Sequence, residues 1–481
     1  MSGGIPADGS RAARVDWANL WRSGDLGRFV FLCLGILLHG TNETMIATIM
    51  PAMVGELSGV QLVGWSAAIY ELGSIVAGAA AGRLVSFVSL RTNMTVAALV
   101  YAGGAAVCSA APSMGWFLAG RLCEGLGGGA LVALAFVSVE RLFDRAIWPQ
   151  LFAVMSVIWG IAAFGGPLLG AIAAEWLSWR WAFGMFAAAG LAMAAATAAL
   201  LRGPRATMPS ASPGALPPFP LLPLGVLAAS ILAIAIAGVD IEVLRSSLLL
   251  LAGLAGLAAF FALDARRPAG RLFPSRLFDW STPVGSGMTM VAAFSVATCA
   301  FALYGPLVLT SVHGIPVMTT GYLIAAESIA WSVLSILVAN APPRWERGII
   351  VGGAVMIAAG STGFAIAVPS GSIPLILFCA ILQGGGFGIA WPFVTRIVVA
   401  SAPANEQTIA SSAVPTMQRI GYATGAAAIG IVANASGFSE GLSATSAGNV
   451  AAVLFLAPVP VAILGVLAAM RATRPAPQDL A

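Results

Sequence analysis

Long apolar segments recur along the whole sequence, and they constrain the fold more than any other feature. Each has about twenty residues, which is enough to cross the hydrocarbon core of a bilayer as an α-helix. Only 9% of the 481 residues are charged, whereas about 25% are charged in a soluble domain. The sequence therefore predicts an all-α polytopic membrane protein. Its fourteen predicted transmembrane helices lie at residues 29–51, 63–82, 94–113, 115–138, 150–174, 181–201, 220–238, 247–264, 283–307, 319–340, 349–368, 373–397, 411–434 and 448–470.

The spacing of these segments predicts an arrangement of six, two and six helices. Residues 29–201 are expected to form an N-terminal six-helix bundle, and residues 282–470 a C-terminal one. Residues 202–281 are expected to form a linker that carries two inserted helices. That pair is rich in Leu, Ala and Gly, and we assign it no chemistry. Polar tails at residues 1–28 and 471–481 complete the predicted organisation.

Arginine is distributed unevenly between the connections of the predicted helices. Both tails and the even-numbered connections hold most of the arginines, whereas the odd-numbered connections hold only Arg180 and Arg245. Positively charged residues are retained on the cytoplasmic side of a membrane. We therefore expect a multi-pass protein of a bacterial inner membrane with both termini in the cytoplasm.

A short glycine-rich sequence occurs twice. Residues 124–129 align with residues 383–388 at an offset of 259, and the same offset takes Gly166 to Gly425. The fourth predicted helix thus matches the twelfth, and the fifth matches the thirteenth. Two six-helix bundles in parallel repeat are a transporter architecture, with the binding site between the halves near the middle of the membrane.

The fourth predicted helix carries charge in the middle of an apolar segment. Arg121 and Glu124 are three residues apart, and Gly125 and Gly128 follow at helical spacing, so all four share one face. Gly125 and Gly129 form a GxxxG pair that allows a close helix contact. Ionisable groups inside a membrane usually face the bundle interior or a water-filled path. The Arg–Glu pair is either a self-neutralising structural pair or part of a functional site.

Several motifs resemble those of one family. Residues 121–127 resemble the RxxQGxG motif of the fourth helix of the major facilitator superfamily, with glutamate in place of glutamine. Residues 166–171 resemble the GPxxGG antiporter motif. Residues 179–183 resemble the WRWxF motif of the fourteen-helix drug:proton antiporter family. Residues 42–51 resemble the LDxTIVNVALP motif of the same family, and the aspartate of that motif falls on Asn42. The resemblance covers almost the whole chain and implies transport by alternating access between two bundles.

The connection after the second predicted helix departs from that family. The family pattern is GxLxDRxGRR. This chain has Ser86 at the position of the aspartate and Ser89 at the position of the second glycine. In the family that aspartate helps to lock the cytoplasmic gate. We therefore expect this chain to hold its outward-facing state by other contacts, or to hold it weakly. The motifs of this connection and of the fifth helix imply conformational roles for Gly82, Arg83, Gly166, Pro167 and Gly170.

A proton-coupled exporter needs a group that is neutral in one state and charged in the other. A carboxyl group inside the membrane meets this requirement, because burial disfavours its charged form and so allows it to hold a proton. Glu43 follows His39 by four residues, so His39 either relays its proton or only forms hydrogen bonds within the bundle. Glu124 either carries a proton or holds Arg121. The candidate proton-coupling residues are Glu43, Glu327, Glu124, Glu71, Arg121 and His39.

Aromatic side chains are candidates for the wall of a substrate cavity, since apolar pockets with a few polar groups suit amphiphilic ligands. Each aromatic residue has packing or interfacial anchoring as its alternative role. Three polar residues on the motif-bearing helices join them. The candidate substrate-binding residues are Asn42, Trp65, Tyr70, Trp159, Trp331, Trp391, Phe393, Gln383 and Arg419.

These features favour a proton-coupled exporter of amphiphilic small molecules that works by alternating access. The alternative is a dedicated carrier (an exporter, uniporter or importer) for one metabolite, vitamin or siderophore. An enzyme is disfavoured, because the only histidines, His39 and His313, are far apart and no nucleophile motif is present. We expect a monomer that interacts with its substrate, protons and the bilayer, and with no nucleic acid, cofactor or metal.

Overall fold

The computed structural model describes residues 22, 24–57, 63–208, 219–239, 241–268, 270–437 and 447–474. Most of both predicted tails and residues 209–218 of the linker lie outside these ranges. The described residues of the first half form six long helices. They are α1 (Asp25–Leu57), α2 (Val63–Phe87), α3 (Leu90–Ser109), α4 (Met114–Leu142), α5 (Trp148–Trp176) and α6 (Trp179–Leu200).

The inserted pair and the second half are also helical. Two of the predicted helices are interrupted, one at Thr298 and one at residues 457–458, so each is described as two helices. The elements are α7 (Leu221–Ala237), α8 (Val243–Ala265), α9 (Pro283–Ala297), α10 (Cys299–Ser311), α11 (Val317–Val338), α12 (Glu346–Ser370), α13 (Ile373–Ser401), α14 (Gln407–Ala435), α15 (Ala447–Leu456) and α16 (Val459–Ala472).

Eleven helical segments in the described ranges are long and apolar enough to cross a membrane, with α9 and α10 counted as one segment and α15 and α16 as another. Helix α7 is apolar but has only 17 residues. Helices α6 and α14 are not among the eleven. Helix α14 carries Gln418 and Arg419 near its middle, which lowers its apolar character and marks it as an interior helix.

Short polar connections set the turns between successive helices. Ser89 precedes α3 and accepts a hydrogen bond from the backbone N–H of Thr92 (3.1 Å). Ser178 precedes α6 in the same way and accepts from the N–H of Arg180 (3.3 Å). Such N-caps satisfy backbone donors that a helix start leaves unpaired. The serine at position 89, which replaces a family glycine, therefore has a local structural role.

The two halves repeat the same helix packing. A Cβ atom at Gly125 of α4 would lie 2.9 Å from the carbonyl carbon of Tyr70 in α2. A Cβ atom at Gly384 of α13 would lie 2.7 Å from the carbonyl carbon of Glu327 in α11. Glycine thus allows the same close helix contact in both halves. The offset of 259 therefore relates positions that pack alike.

The inserted pair packs against both halves. Helix α7 contacts α2 and α14, while α8 contacts α7 and α14. Helix α7 buries Leu227, Ile231, Ile234 and Ala237 in the same apolar cluster as Ile75 of α2. The pair therefore lies beside the boundary between the halves.

Polar contacts join the two halves near the α4–α5 and α13–α14 connections. Arg145 donates to Oε1 of Gln407 (2.6 Å), and Thr408 donates to Oε2 of Glu140 (3.1 Å). A Cβ atom at Gly82 would lie 2.9 Å from the carbonyl oxygen of Thr408, so α2 is also closely packed on α14 here. The halves are thus closed together at this end of the helices.

Candidate functional site

A cavity of about 780 Å³ lies between the two halves. Helices α1, α2, α4 and α5 line it from one half, and α10, α11, α13 and α14 from the other. The wall is mainly apolar, as is typical of small-molecule sites. Its polar and aromatic members are Glu43, Tyr70, Glu71, Arg121, Phe136, Phe152, Ser156, Trp159, Tyr304, Ser328, Trp331, Trp391, Gln418, Arg419 and Tyr422.

An arginine of one half binds two carboxylates of the other at this cavity. Arg419 of α14 donates through Nη1 to Glu71 of α2 (2.6 Å) and through Nη2 to Glu43 of α1 (2.9 Å). Its guanidinium carbon lies 5.4 Å from the ring centre of Trp159 in α5. The side chain of Glu43 is 40% exposed and that of Glu71 is 21% exposed. Glu43 therefore has the readier access to water and solutes in the cavity.

His39 lies one helical turn behind Glu43. Its Nε2 atom is 3.8 Å from Oε2 of Glu43, and its Nδ1 atom is 2.7 Å from the hydroxyl of Tyr70. His39 is buried and lies outside the cavity wall, whereas Tyr70 lines it. The hydrogen bond within the bundle, one of the two roles considered for His39, is thus present. The 3.8 Å gap is longer than a hydrogen bond.

Arg121 and Glu124 form a fully buried network within the first half. Arg121 donates to Glu124 (2.9 Å) and also to the side-chain oxygen of Asn42. The amide of Asn42 donates to Glu124 (2.8 Å), and the Arg121 guanidinium lies 4.0 Å from the ring centre of Tyr70. The two charges therefore neutralise each other, and Asn42 satisfies part of their remaining hydrogen-bonding capacity. Arg121 reaches the cavity wall, but Glu124 and Asn42 do not.

Glu327 belongs to a separate polar group in the second half. Gln383 of α13 donates to Glu327 of α11 (2.8 Å), and Ser361 of α12 donates to Gln383 (2.9 Å). The packing repeat places Glu327 at the position of Tyr70 in the first half. Among the described ion pairs, none includes Glu327.

The candidate substrate-binding residues divide into two groups. Trp331 and Trp391 join Tyr70, Trp159 and Arg419 in the cavity wall. The Trp331 ring stacks on Phe387 with ring centres 4.7 Å apart, which fixes its orientation. Residues outside the wall are Trp65, Phe393, Gln383 and Asn42. Phe393 is 2% exposed in an apolar cluster, so it packs the second half.

Glycines of α5 allow α1 to approach. A Cβ atom at Gly166 would lie 2.6 Å from the carbonyl oxygen of Thr41, and one at Gly170 would lie 3.0 Å from that of Met45. Pro167 lies inside α5 between these two contacts. The antiporter-like motif therefore positions α1, the helix that carries Glu43.

Arg83 of α2 lies over the ring of Phe87 (5.2 Å to the centroid).

A further ion pair, which the sequence interpretation missed, lies at the far end of α1. Glu56 accepts hydrogen bonds from the indole of Trp179 (2.7 Å) and from Nε of Arg180 (2.9 Å). Arg180 also donates to the carbonyl oxygen of Ser109 (2.9 Å). The hydrogen bonds from Trp179 and Arg180 lower the pKa of Glu56 below its ordinary value of 4.5. The motif at the start of α6 therefore ties α1, α3 and α6 together.

Two helical halves around a central cavity with paired charges define a membrane transporter. The sequence model of the Major Facilitator Superfamily matches residues 32–426, and the chain belongs to that superfamily. Its members are transporters and not enzymes.

Relatives agree with this assignment over nearly the whole chain. A Mycobacterium tuberculosis (strain H37Rv) protein named "Probable multidrug-efflux transporter" is 29% identical over 474 residues, covering 94% of this chain and 96% of its own length. The solved structure of the proton:xylose symporter XylE has a TM-score of 0.63 at 16% identity, covering 92% of this chain and 95% of its own. The human organic anion transporter MFSD10 has a TM-score of 0.61 at 16% identity, covering 90% and 98%. The two structures establish the shared fold.

Proposed function

We propose that this chain is a monomeric, proton-coupled exporter of amphiphilic small molecules. It would cross a bacterial inner membrane fourteen times, with both termini in the cytoplasm. One observation carries the proposal: Glu43 and Glu71 share a single guanidinium, that of Arg419, in the wall of an apolar cavity. The relatives named multidrug-efflux transporters support the substrate class.

The charge count of this cluster gives proton exchange a physical basis. With both carboxylates ionised the cluster carries one net negative charge, which attracts a cationic substrate. Protonation of one carboxylate removes that charge and weakens the attraction. Substrate and proton therefore compete for the same cluster. Glu43 is the favoured carrier because its side chain is the more exposed to the cavity, and Glu327 is the second candidate.

Alternating access requires the halves to separate at their closed end. The contacts between Arg145 and Gln407 and between Thr408 and Glu140 involve one ion and one neutral partner each. Such hydrogen bonds are weaker than a pair of full charges. We assign these contacts to the closed cytoplasmic gate, because this chain has Ser86 where the family has the aspartate that helps to lock it.

The second candidate is a dedicated carrier for one metabolite, vitamin or siderophore. The departure of residues 82–91 from the family loop favours it, because a weaker cytoplasmic gate suits a carrier that also runs in the uptake direction. Uptake of labelled metabolites by cells, compared with dye efflux from the same cells, distinguishes the two functions.

The proposal is tested in proteoliposomes with an imposed pH gradient. Internal pH is followed while a panel of cationic dyes, including ethidium and rhodamine 6G, is added. Dye-triggered proton movement that disappears in Glu43→Gln or Glu327→Gln supports the exporter and names its proton carrier. Glu242→Gln, at the start of α8 outside the cavity wall, is the matched control. Folded protein that responds to none of the dyes contradicts the multidrug function.

A further inference from the structure

Helix α7, one of the two inserted helices, forms part of the cavity wall. Ile231, Ile234 and Ala235 of the helix and Gly238, its C-cap, all line the cavity. Their spacing of i, i+3, i+4 and i+7 places them on one face of the helix. Ala229 lies outside this face and is exposed. One face of α7 therefore meets the cavity, and another meets the outer surface of the bundle.

The contact between α2 and α14 and the contacts of the α7–α8 connection bound α7 along the cavity. Nearer the closed end, α2 and α14 approach each other directly, since a Cβ atom at Gly78 would lie 2.8 Å from the hydroxyl oxygen of Thr416. Farther along α14, Asn434 donates to the carbonyl oxygen of Ile241 (3.3 Å), which belongs to the α7–α8 connection. A Cβ atom at Gly430 would lie 2.6 Å from Cδ1 of Ile241. The inserted pair is thus held on α14 beside the cavity.

We propose that α7 is a specificity-determining wall of the substrate cavity, with Ala235 and Gly238 setting the size of the molecule that fits. The inference takes its substrate class, amphiphilic cations, from the proposed function. Two small residues facing the cavity leave room that a larger side chain would fill. Apolar pockets discriminate ligands by such differences in volume, and a small change in volume can alter kcat/KM by about tenfold or more.

A matched pair of substitutions on the same helix tests the proposal. Ala235→Phe adds a phenyl ring inside the cavity, and Ala229→Phe adds the same ring outside it. We expect A235F to lower the ratio of kcat/KM for rhodamine 6G to that for ethidium by about tenfold, because rhodamine 6G is the larger cation. We expect A229F to leave this ratio unchanged. Equal ratios in the two variants would overturn the proposal.

A second measurement tests the same wall without any transported substrate. In a background in which the five native cysteines are replaced, Ala235→Cys is expected to react with a small membrane-impermeant thiosulfonate, and Ala229→Cys is not. Absence of reaction at position 235 overturns the proposal even if A235F fails to fold. If the wild type moves neither dye but A235C still reacts, the exporter function fails and the wall assignment stands.

Discussion

Nη1 of Arg419 lies 2.6 Å from Oε2 of Glu71, and this ion pair joins the second half of the transporter to the first. The other terminal nitrogen of Arg419 binds Glu43 on a different helix of the first half. One side chain thus connects α14 to both α1 and α2 at the cavity. A ligand that changes the charge of either carboxylate changes the attraction between the halves, which is the differential interaction that a conformational change requires.

Arg419→Ala is expected to abolish dye-driven proton movement and to lower the melting temperature. It removes two charge-assisted hydrogen bonds, each worth about 1.5–3 kcal/mol, and leaves two carboxylates close together. Arg419→Lys keeps the charge but lacks the planar fork that serves two partners, so we expect partial recovery of stability. Arg347→Ala, at an exposed arginine, is the control. Full activity of R419A would contradict the role of the bridge.

Glu124→Gln tests whether the buried pair in α4 is structural. The substitution keeps the shape of the side chain but leaves Arg121, which is 0% exposed, without its counter-charge. Removing one partner of a buried pair costs about 3–5 kcal/mol, so we expect a large fall in the unfolding midpoint in detergent. The double variant Arg121→Met, Glu124→Leu removes both charges and should be more stable than E124Q. A double variant less stable than E124Q would show that the pair itself stabilises the fold.

The glycine contacts of the two halves make a paired prediction. Gly125→Ala and Gly384→Ala place a methyl group against the backbone of Tyr70 and Glu327, respectively. Overpacking of this kind costs about 1–3 kcal/mol, so both variants should melt at lower temperature. Gly103→Ala and Gly352→Ala meet nothing within 4 Å and should gain up to about 1 kcal/mol from helix propensity. Equal melting temperatures in all four variants would contradict the repeated packing.

Glu56 lies outside the apolar part of α1, and its ion pair with Arg180 makes the stability of the fold depend on pH. Because its pKa is lowered in the folded protein, Glu56 stabilises the fold at pH values above its ordinary pKa of 4.5. That contribution is lost as pH falls through the lowered value. Melting temperatures measured from pH 7 to pH 3 should fall less steeply in Glu56→Gln than in the wild type. Parallel curves would mean that the pair contributes nothing to stability.

Local features of the sequence were sufficient to predict the family and much of the packing. Arg121 and Glu124 are three residues apart, so helical geometry alone brought them together. The glycine pair at Gly125 and Gly129 predicted a close helix contact of α4, and Gly384, which follows Gly125 by 259 residues, makes the matching contact in α13. These predictions worked because each depends on spacing within one helix or on comparison of one half with the other.

Contacts between distant helices could not be predicted in the same way. Arg419 and Glu43 are 376 residues apart, and nothing in either local sequence identifies the other as its partner. The sequence of α7 also did not indicate that this helix lines the cavity, because Leu, Ala, Ile and Gly suit both a lipid-facing and a cavity-facing surface. Its place in the wall depends on tertiary packing against α2 and α14.

The most direct test of the central claim is the number of protons released when a cation binds to the purified transporter. Calorimetric titration with ethidium, in buffers of different ionisation enthalpy, counts those protons. If substrate and proton compete for the carboxylates on Arg419, the wild type releases about one proton per ethidium bound. The double variant Glu43→Gln, Glu71→Gln then releases none. Binding without proton release in the wild type, or equal release in the double variant, would contradict the account.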